Sequence, residues 1–287
     1  MNLLLGVFFG ILTMLAYGFA EIAETQAARK TVILRSNLWG WAIGSAMLLM
    51  IFLLVFHANL PSVSLFQAIL AAVAGILGAL GYLAFYKALR TGKASVIAPI
   101  SNASAVITVV LSLILLGEKI LLLQILGICL IICGSVLISV RKREAKTPAK
   151  AYSAGTKYAL AVMVFWGLML FIIGFLVREI GWFFPVFFST VAAAITDLAI
   201  ALSSRTNLAF PRAAARPVLI ESILSTTGFL FYGLGANLAP IAIVAPIASA
   251  STFVTVVTAR VFLRERPALP YMTSIAFLIA GLVLISI

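Results

Sequence analysis

The stretch APISNASAVITVVLSLILLGEK at Ala98–Lys119 recurs as APIASASTFVTVVTARVFLRER at Ala245–Arg266. At an offset of 147 residues, the 42 positions that begin at the two alanines contain 18 identities without a gap. The anchors include the Ala-Pro-Ile triplets, the Thr-Val-Val triplets and the paired acids Glu118 and Glu265. Apolar composition alone does not produce such a register, so the second half of the chain repeats the first.

The composition predicts an all-α membrane protein. Hydrophobic residues make up 64% of the chain and charged residues 10%, whereas soluble domains have about 25% charged residues. The apolar runs are long enough for helices to cross a hydrocarbon core of ~30 Å, and they lack the two-residue alternation of barrel strands. We predict ten transmembrane helices, at about Leu3–Ile22, Leu38–Phe56, Leu65–Leu89, Ala94–Leu116, Leu121–Val140, Thr156–Val177, Trp182–Leu202, Val218–Leu238, Ile241–Leu263 and Pro270–Ile287.

The domain organisation follows from the repeat. Five spans in each half are an odd number, so the halves lie in opposite orientations as two inverted five-helix repeats, an architecture of secondary transporters. We assign repeat I to residues 1–140, a polar cytoplasmic linker to 141–155 and repeat II to 156–287. Neither half is expected to be independent, because each would expose a polar face, and the two form one integral transmembrane domain.

The positive charges predict the orientation. Eighteen of the 20 Lys and Arg residues lie in the odd-numbered connections between spans, and cytoplasmic loops retain such residues. Both termini are therefore predicted to be extracytoplasmic, in the plasma (inner) membrane of a prokaryote. The net charge of +12 is spread over short loops that meet anionic lipid headgroups, so nucleic acid is not an expected partner.

Catalytic and cofactor chemistry is not expected. The chain has one His and two Cys residues, Cys129 and Cys133, too few for a haem, zinc or di-metal centre. It has no clustered His, Asp or Ser set that would indicate an intramembrane enzyme. A GxxxxGK[ST] motif for direct ATP coupling is also missing from the sequence.

Charged residues inside the spans are the first functional candidates, because each is costly in lipid. Asp197 lies inside the seventh span and is either a coupling carboxylate or the partner of Arg205, two turns further on. Tyr17, Glu21 and Glu24 share one face of the first helix. That face either binds a cationic or amino group, or its acids pair with basic residues of the next loop.

Two polar stripes and a pair of acids are open to structural explanations. The stripes consist of Ser101, Ser104, Thr108 and Ser112 on the fourth helix and Ser251, Thr255 and Thr258 on the ninth. Each either lines a hydrophilic path or allows close helix approach. Glu118 and Glu265 lie at helix junctions, where a carboxylate is favoured by the helix that begins.

Trp166 lies in mid-span, where the interfacial role of tryptophan does not apply.

With these motifs the chain resembles the drug/metabolite transporter superfamily, specifically its ten-helix EamA-like branch. The resemblance rests on the paired Ala-Pro-Ile and Thr-Val-Val segments, on GSVLIS and GLVLIS, and on the aromatic-glycine pairs Tyr17-Gly18 and Trp166-Gly167. It implies a central cavity lined by the first, third and fourth helices of each half. The candidate cavity residues are then Tyr17, Glu21, Tyr82, Tyr86, Asn102, Trp166, Tyr232, Asn237 and Ser249.

The resemblance and the architecture together predict a secondary transporter that moves a small organic metabolite by alternating access. The solute is amino acid-like or another small molecule, and export is a candidate direction. A channel-like facilitator or a multidrug or cation exporter is the alternative. A channel would need a ring of charges or carbonyls along a pore, which the scattered polar residues do not indicate.

Overall fold

The computed structural model describes residues 2–28, 30–57, 61–91, 100–139, 149–262 and 271–287. Within these ranges the chain is all-helical and contains no strand, which confirms the all-α part of the predicted fold class. The helices are α1 Leu3–Ala28, α2 Ile33–Val55, α3 Leu65–Thr91, α4 Ser104–Leu115, α5 Leu122–Ser139, α6 Ala149–Ile180, α7 Phe184–Ser203, α8 Ala215–Leu238, α9 Ile241–Ser249, α10 Ser251–Phe262 and α11 Tyr271–Ser286.

Membrane-spanning helices account for most of the described residues. Six of these helices are long and apolar enough to cross a bilayer, and four shorter apolar helices cover 100–115, 122–137, 241–255 and 273–286. Residues 149–155, which we expected in the linker, are helical because α6 begins at Ala149. The rest of the predicted linker, and residues 94–99 of the fourth predicted span, lie outside the described residues.

The fourth and ninth predicted spans are not continuous helices. The helical turn at 100–102 is separated from α4 at Ala103, and α9 is separated from α10 at Ala250. After each interruption the helix restarts with a tight bond between residues three apart, from the Val106 N–H to the Ala103 carbonyl and from the Phe253 N–H to the Ala250 carbonyl, both 2.9 Å. Because these positions are 147 residues apart, both repeats contain the same break.

The first helix of each half packs against helices of the other half. Helix α1 packs along α8 and against α9 and α10, whereas α6 packs along α3 and against α4. At a further contact, α5 crosses α11 so closely that a Cβ on Gly127 would lie 2.7 Å from the Gly281 carbonyl oxygen. The two halves are thus interleaved rather than side by side.

Repeat-equivalent contacts hold this arrangement. A Cβ on Gly18 would lie 2.9 Å from the Ser251 carbonyl, and one on Gly167 would lie 2.8 Å from the Ser104 carbonyl. The Thr255 hydroxyl donates to the Gly18 carbonyl at 3.2 Å, and the Thr108 hydroxyl donates to the Gly167 carbonyl at 2.9 Å. For these threonines, the polar stripes serve close helix approach.

A large apolar core fills one end of the bundle, where α2 ends and α7 begins. Phe52 of α2 contacts Phe184. Phe56, in the turn after α2, contacts Phe183 and Phe184, and the ring centroids of Phe56 and Phe183 are 4.6 Å apart. Ala74, Leu170 and Ile173 belong to the same buried cluster. We call this region the phenylalanine core.

Glu118 binds the start of α9. Gly117 adopts a positive φ of 61° and turns the chain after α4. The Glu118 carboxylate then accepts hydrogen bonds from the Ile241 and Ala242 N–H groups, at 2.8 and 2.9 Å, and pairs with Arg178. The expected structural role of Glu118 holds, but the helix it caps is α9 of the other half rather than the next helix, α5. Glu265 lies outside the described residues.

Candidate functional site

Three half-buried carboxylates lie together where α1 and α8 pack. They belong to Glu21 and Glu24 of α1 and to Glu221 of α8, and Glu24 lies within electrostatic range of the other two. We call these three residues the acidic cluster. The grouping follows from the packing of α1 along α8, because Glu21 and Glu24 are three residues apart and share a helix face.

Hydroxyl groups bond to each member of the acidic cluster. The Glu21 carboxylate accepts bonds from Ser251 at 2.9 Å and from Thr255 at 2.6 Å. Tyr86 donates its phenol hydrogen to Glu24, and Ser225 donates to Glu221 at 3.2 Å. The stripe on α10 therefore also lines a polar site.

Gly40 of α2 makes room for one of these acids. A Cβ at Gly40 would lie 2.9 Å from the Glu221 Oε2 atom. A larger side chain there would push the carboxylate out of its position. Helix α2 therefore forms one side of the acidic cluster.

The acidic cluster contains three potential negative charges and, among the described residues, no bonded cation. Its carboxylates accept hydrogen bonds from hydroxyl groups, and the ion pair in the described part of the chain is the separate Arg178–Glu118 contact. Arg29, one of the two basic partners expected for these acids, lies outside the described residues. Because like charges in a poorly hydrated site disfavour one another, the cluster favours a proton or a cationic group as its occupant.

An aromatic surface borders the acidic cluster. Trp41, Tyr82, Phe85 and Trp166 form this aromatic wall, with centroid distances of 5.7 Å for Trp41–Tyr82, 5.3 Å for Tyr82–Trp166 and 5.4 Å for Phe85–Trp166. Tyr82 lies within electrostatic range of all three acids. Rings of this kind bind cations through their faces.

Trp166 occupies the centre of the aromatic wall with its indole N–H unused. The Nε1 atom is buried and has no hydrogen-bond partner among the described residues. The ring lies against Gly81, where a Cβ would be 2.5 Å from Nε1. In the repeat-equivalent contact, the ring of Tyr17 lies against Gly228, where a Cβ would be 2.9 Å from the ring.

The other residues predicted for the cavity have different positions. Asn102 donates to Thr252 across the two interrupted helices, and Ser249 is half-buried at the end of α9. Tyr232 is fully buried and donates to the Leu170 carbonyl at 2.9 Å. Asn237 is exposed near the end of α8. The structure thus groups Tyr17, Glu21, Tyr82, Tyr86 and Trp166. Tyr232 lies within electrostatic range of Tyr17 but bonds to α6, and Asn237 is not part of this group.

Asp197 is completely buried, and neither carboxylate oxygen has a hydrogen-bond partner among the described residues. The pairing with Arg205 that the sequence left open is not formed. Helix α7 ends at Ser203, and Arg205 is exposed in a turn with a positive φ of 52°. The coupling alternative remains a prediction.

Glu221 and Trp41 are not among the residues that the sequence predicts for the site. Glu221 stands alone in the apolar run of the eighth predicted span, and that isolation is the signal that identifies it. Trp41 carries no such signal, since its spacing on α2 is equally typical of packing. Among the described residues, no group of three His, Cys, Asp or Glu side chains is arranged to hold a metal ion.

Comparisons with known proteins agree with this architecture. The sequence pattern of the EamA-like transporter family matches the chain twice, at residues 4–140 and 153–287. An uncharacterised protein of Methanocaldococcus jannaschii is 32% identical over 142 residues, which are 49% of this chain and 94% of that protein. An uncharacterised transporter in the cobO 3' region of Sinorhizobium sp. is 33% identical over 69 residues, 24% of this chain and 49% of that protein.

A solved structure shares the fold. A protein crystal structure superposes with a TM-score of 0.79 at 15% sequence identity, covering 97% of this chain and 95% of the other. The two family matches together cover nearly the whole described chain. The chain therefore belongs to the EamA-like transporter family and is a multi-pass membrane transporter of the drug/metabolite type.

Proposed function

We propose that this protein is a secondary transporter for a small organic solute that carries an amino or other cationic group. Organic amines and amino acid-like solutes are the candidate classes. The chain crosses the plasma membrane ten times as two inverted five-helix repeats, with both termini outside. Transport proceeds by alternating access, and the direction is export or import according to the gradients.

The acidic cluster is the observation that carries the substrate class. Glu21 and Glu221 both lie within electrostatic range of Glu24, and the bonded partners of these carboxylates are neutral hydroxyls. An ammonium group in the midst of these acids gains charge-assisted hydrogen bonds and relieves their mutual repulsion. An anionic solute gains neither.

The aromatic wall supplies the complementary contacts. Its rings accept a cation at their faces and offer apolar area to the rest of the solute. The unpartnered Trp166 N–H is available to an acceptor group of the solute, such as the carboxylate of an amino acid. A solute that is positive at one end and flat or apolar beside it fits both surfaces.

The breaks at Ala103 and Ala250 support the mechanism. Each break lies beside the residues that join the halves, Asn102 and Ser251. Interrupted helices in transporters lie near the binding site and permit one half to move against the other. We expect the short helical pieces on either side of each break to change their angle as the site opens to alternate sides.

Flux across proteoliposomes tests the proposal. Purified protein is reconstituted, and uptake is measured for radiolabelled primary amines, amino acids and, as matched controls, alcohols of the same carbon skeleton. We expect saturable uptake of an amine or amino acid and none of the matching alcohol. Uptake that rises linearly with concentration would point to a channel-like facilitator, and uptake of the alcohol alone would overturn the cationic substrate class.

Two variants connect the flux to the acidic cluster. Glu24→Gln and Glu221→Gln preserve side-chain size but remove charge, so each should raise the KM for the amine at least about tenfold. That corresponds to the loss of one charge-assisted interaction of about 1.4 kcal/mol or more. Glu179→Gln is the control, because Glu179 is exposed at the end of α6. Equal KM values for all three variants would remove the acidic cluster from the site.

A further inference from the structure

We propose that Asp197 is a proton-binding site where α7 packs against α2 and α3, separate from the acidic cluster. Its carboxyl group holds a proton while these helices are packed as in this structure and releases it when water enters between them. The coupling of this site to solute movement rests on the proposed transport function. The presence of the proton does not, and it can be tested without a solute.

Burial of the Asp197 carboxyl group favours its neutral form. Asp197 is 0% exposed, and both its oxygens are unpartnered among the described residues. Its neighbours along the buried stripe of α7, one turn to each side, are Ala193 and Ala201. An ionised carboxylate without a partner in such surroundings is far more costly than a neutral carboxylic acid.

Helices α2 and α7 pack along each other. Helices α2 and α7 are antiparallel, since Phe52 near the end of α2 contacts Phe184 at the start of α7. Trp39 near the start of α2 donates to the Leu208 carbonyl, beyond the end of α7, at 3.0 Å. Between these contacts, a Cβ on Gly44 would lie 3.5 Å from the Thr190 Cγ2 atom.

Asn37 and Asp197 lie at the same level along this pair of helices. Asn37 precedes Gly44 by seven residues, and Asp197 follows Thr190 by seven. Seven residues are about two turns, so each side chain points in nearly the same direction as its reference residue. The faces that meet at Gly44 and Thr190 therefore bring Asn37 and Asp197 to the same level.

Asn37 is also an unsatisfied polar group. It is 9% exposed, and its Nδ2 atom has no partner among the described residues. An unused amide donor thus lies level with a carboxyl group whose two acceptors are unused. Buried polar groups of this kind are normally hydrogen-bonded, so two of them at one level indicate a site whose partner changes during function. The amide can stabilise the carboxylate after its proton leaves.

No ionisable side chain within the described residues bonds to Asp197. Those on the helices packed against α7 are Arg35 of α2, Tyr82, Tyr86 and Lys87 of α3, Lys157, Tyr158, Arg178 and Glu179 of α6, and Arg216, Glu221 and Tyr232 of α8. Arg35 donates to the Ala209 and Phe210 carbonyls, and Lys87 lies over the Tyr158 ring. Glu221 is bonded to Ser225. Within the described chain no cation is bonded to Asp197, which leaves a proton as the simplest neutralising ligand.

The sequence allows a direct test, because Asp197 is the only aspartate in the chain. Cell-free synthesis with aspartate carrying carbon-13 in its side-chain carboxyl group labels this one site. Infrared spectra of the reconstituted protein should show, at pH 7, the carbonyl stretch of a protonated carboxylic acid that shifts with the label. The band should disappear as the pH rises, and it should be missing from Asp197→Asn.

Two further outcomes decide the proposal. A labelled carboxyl that appears only as the ionised form at pH 7 overturns it, and so does a labelled band that responds to added sodium chloride rather than to pH. In Asn37→Leu the band should persist to higher pH, because the carboxylate loses the donor that stabilises it. An unchanged pH dependence in that variant would remove Asn37 from the site. The isotope assigns the band in the wild-type chain, so the test does not depend on a variant that folds.

Coupling is then measured in proteoliposomes. A pH gradient should accelerate amine flux in the wild-type protein, and Asp197→Asn should lose this acceleration while it retains exchange at equal pH. If no solute moves at all, the proposed function fails, but the infrared result on Asp197 still stands. If Asp197→Asn responds to the gradient like the wild type, the coupling role is wrong.

Discussion

Replacing Glu118 with Ala should separate the start of α9 from α4 and α6. The Glu118 side chain is 3% exposed and binds the first two N–H groups of α9, at Ile241 and Ala242, which are themselves fully buried. The first N–H groups of a helix have no partner within the helix. The substitution therefore leaves two donors and one arginine without their acceptor.

The magnitude follows from these bonds. A hydrogen bond to a charged group contributes about 1.5–3 kcal/mol, and the two bonds share one carboxylate, so their sum is less than twice that value. The Arg178 side chain is 32% exposed, so water replaces much of the ion pair, which adds about 0–1 kcal/mol. We expect Glu118→Ala to lower the free energy of unfolding by about 3 kcal/mol. Glu118→Gln keeps one acceptor and should lose about half as much.

Reversible unfolding in mixed detergent micelles, followed by tryptophan fluorescence, measures this difference. Glu179→Ala is the matched control, since Glu179 is next to Arg178 but exposed. If Glu118→Ala and Glu179→Ala differ by less than about 0.5 kcal/mol, the range of ordinary surface substitutions, the carboxylate does not hold α9 in place. A loss in Glu118→Gln as large as in Glu118→Ala would assign the effect to charge alone.

Three further predictions concern the site, the packing and the orientation. Trp166→Ala should abolish solute binding, measured as ligand-induced thermal stabilisation, while the protein remains folded; unchanged affinity would exclude Trp166 from the site. Thr108→Val should lower the free energy of unfolding by about 1 kcal/mol, since it removes the bond to the Gly167 carbonyl; a neutral result in a chemical unfolding titration would contradict this. Asn2→Cys in a cysteine-free background should react with an impermeant thiol reagent on whole cells, and protection until lysis would place the N-terminus inside.

The sequence predicts the helical, membrane-spanning character of the chain well, because hydropathy and helix periodicity are local properties. The aromatic-glycine pairs at Tyr17 and Trp166 identify the first helix of each half, and the structure places their glycines in equivalent contacts. Helix continuity was harder to predict. The breaks at Ala103 and Ala250 fall at residues with high helix propensity. Each follows a proline, Pro99 or Pro246, by four residues, whereas a proline loosens the turn before it.

Partners across helices could not be predicted from spacing. Glu21 shares a helix face with Tyr17 and Glu24, but its bonds to Ser251 and Thr255 depend on how α1 packs against α10. The same limit applies to Glu118, whose bonded N–H groups lie more than a hundred residues away. For Asp197 the pairing with Arg205 assumed a longer helix, and α7 ends before Arg205.

The acidic cluster has no counterpart in the other half, although the frame around it is repeated. The positions equivalent to Glu21, Glu24 and Glu221 are Leu170, Ile173 and Ala74, and all three belong to the phenylalanine core.

Under the proposed inverted arrangement, equivalent positions face opposite sides of the membrane. Water that enters at the acidic end solvates carboxylates. Opening the other end exposes apolar surface to water, which costs about 25 cal/mol of free energy per Å². The empty carrier should therefore rest with the acidic cluster open to water and the phenylalanine core closed. A bound solute that neutralises the acids removes the preference, so the sequence difference between two copies of one fold makes the resting molecule one-sided.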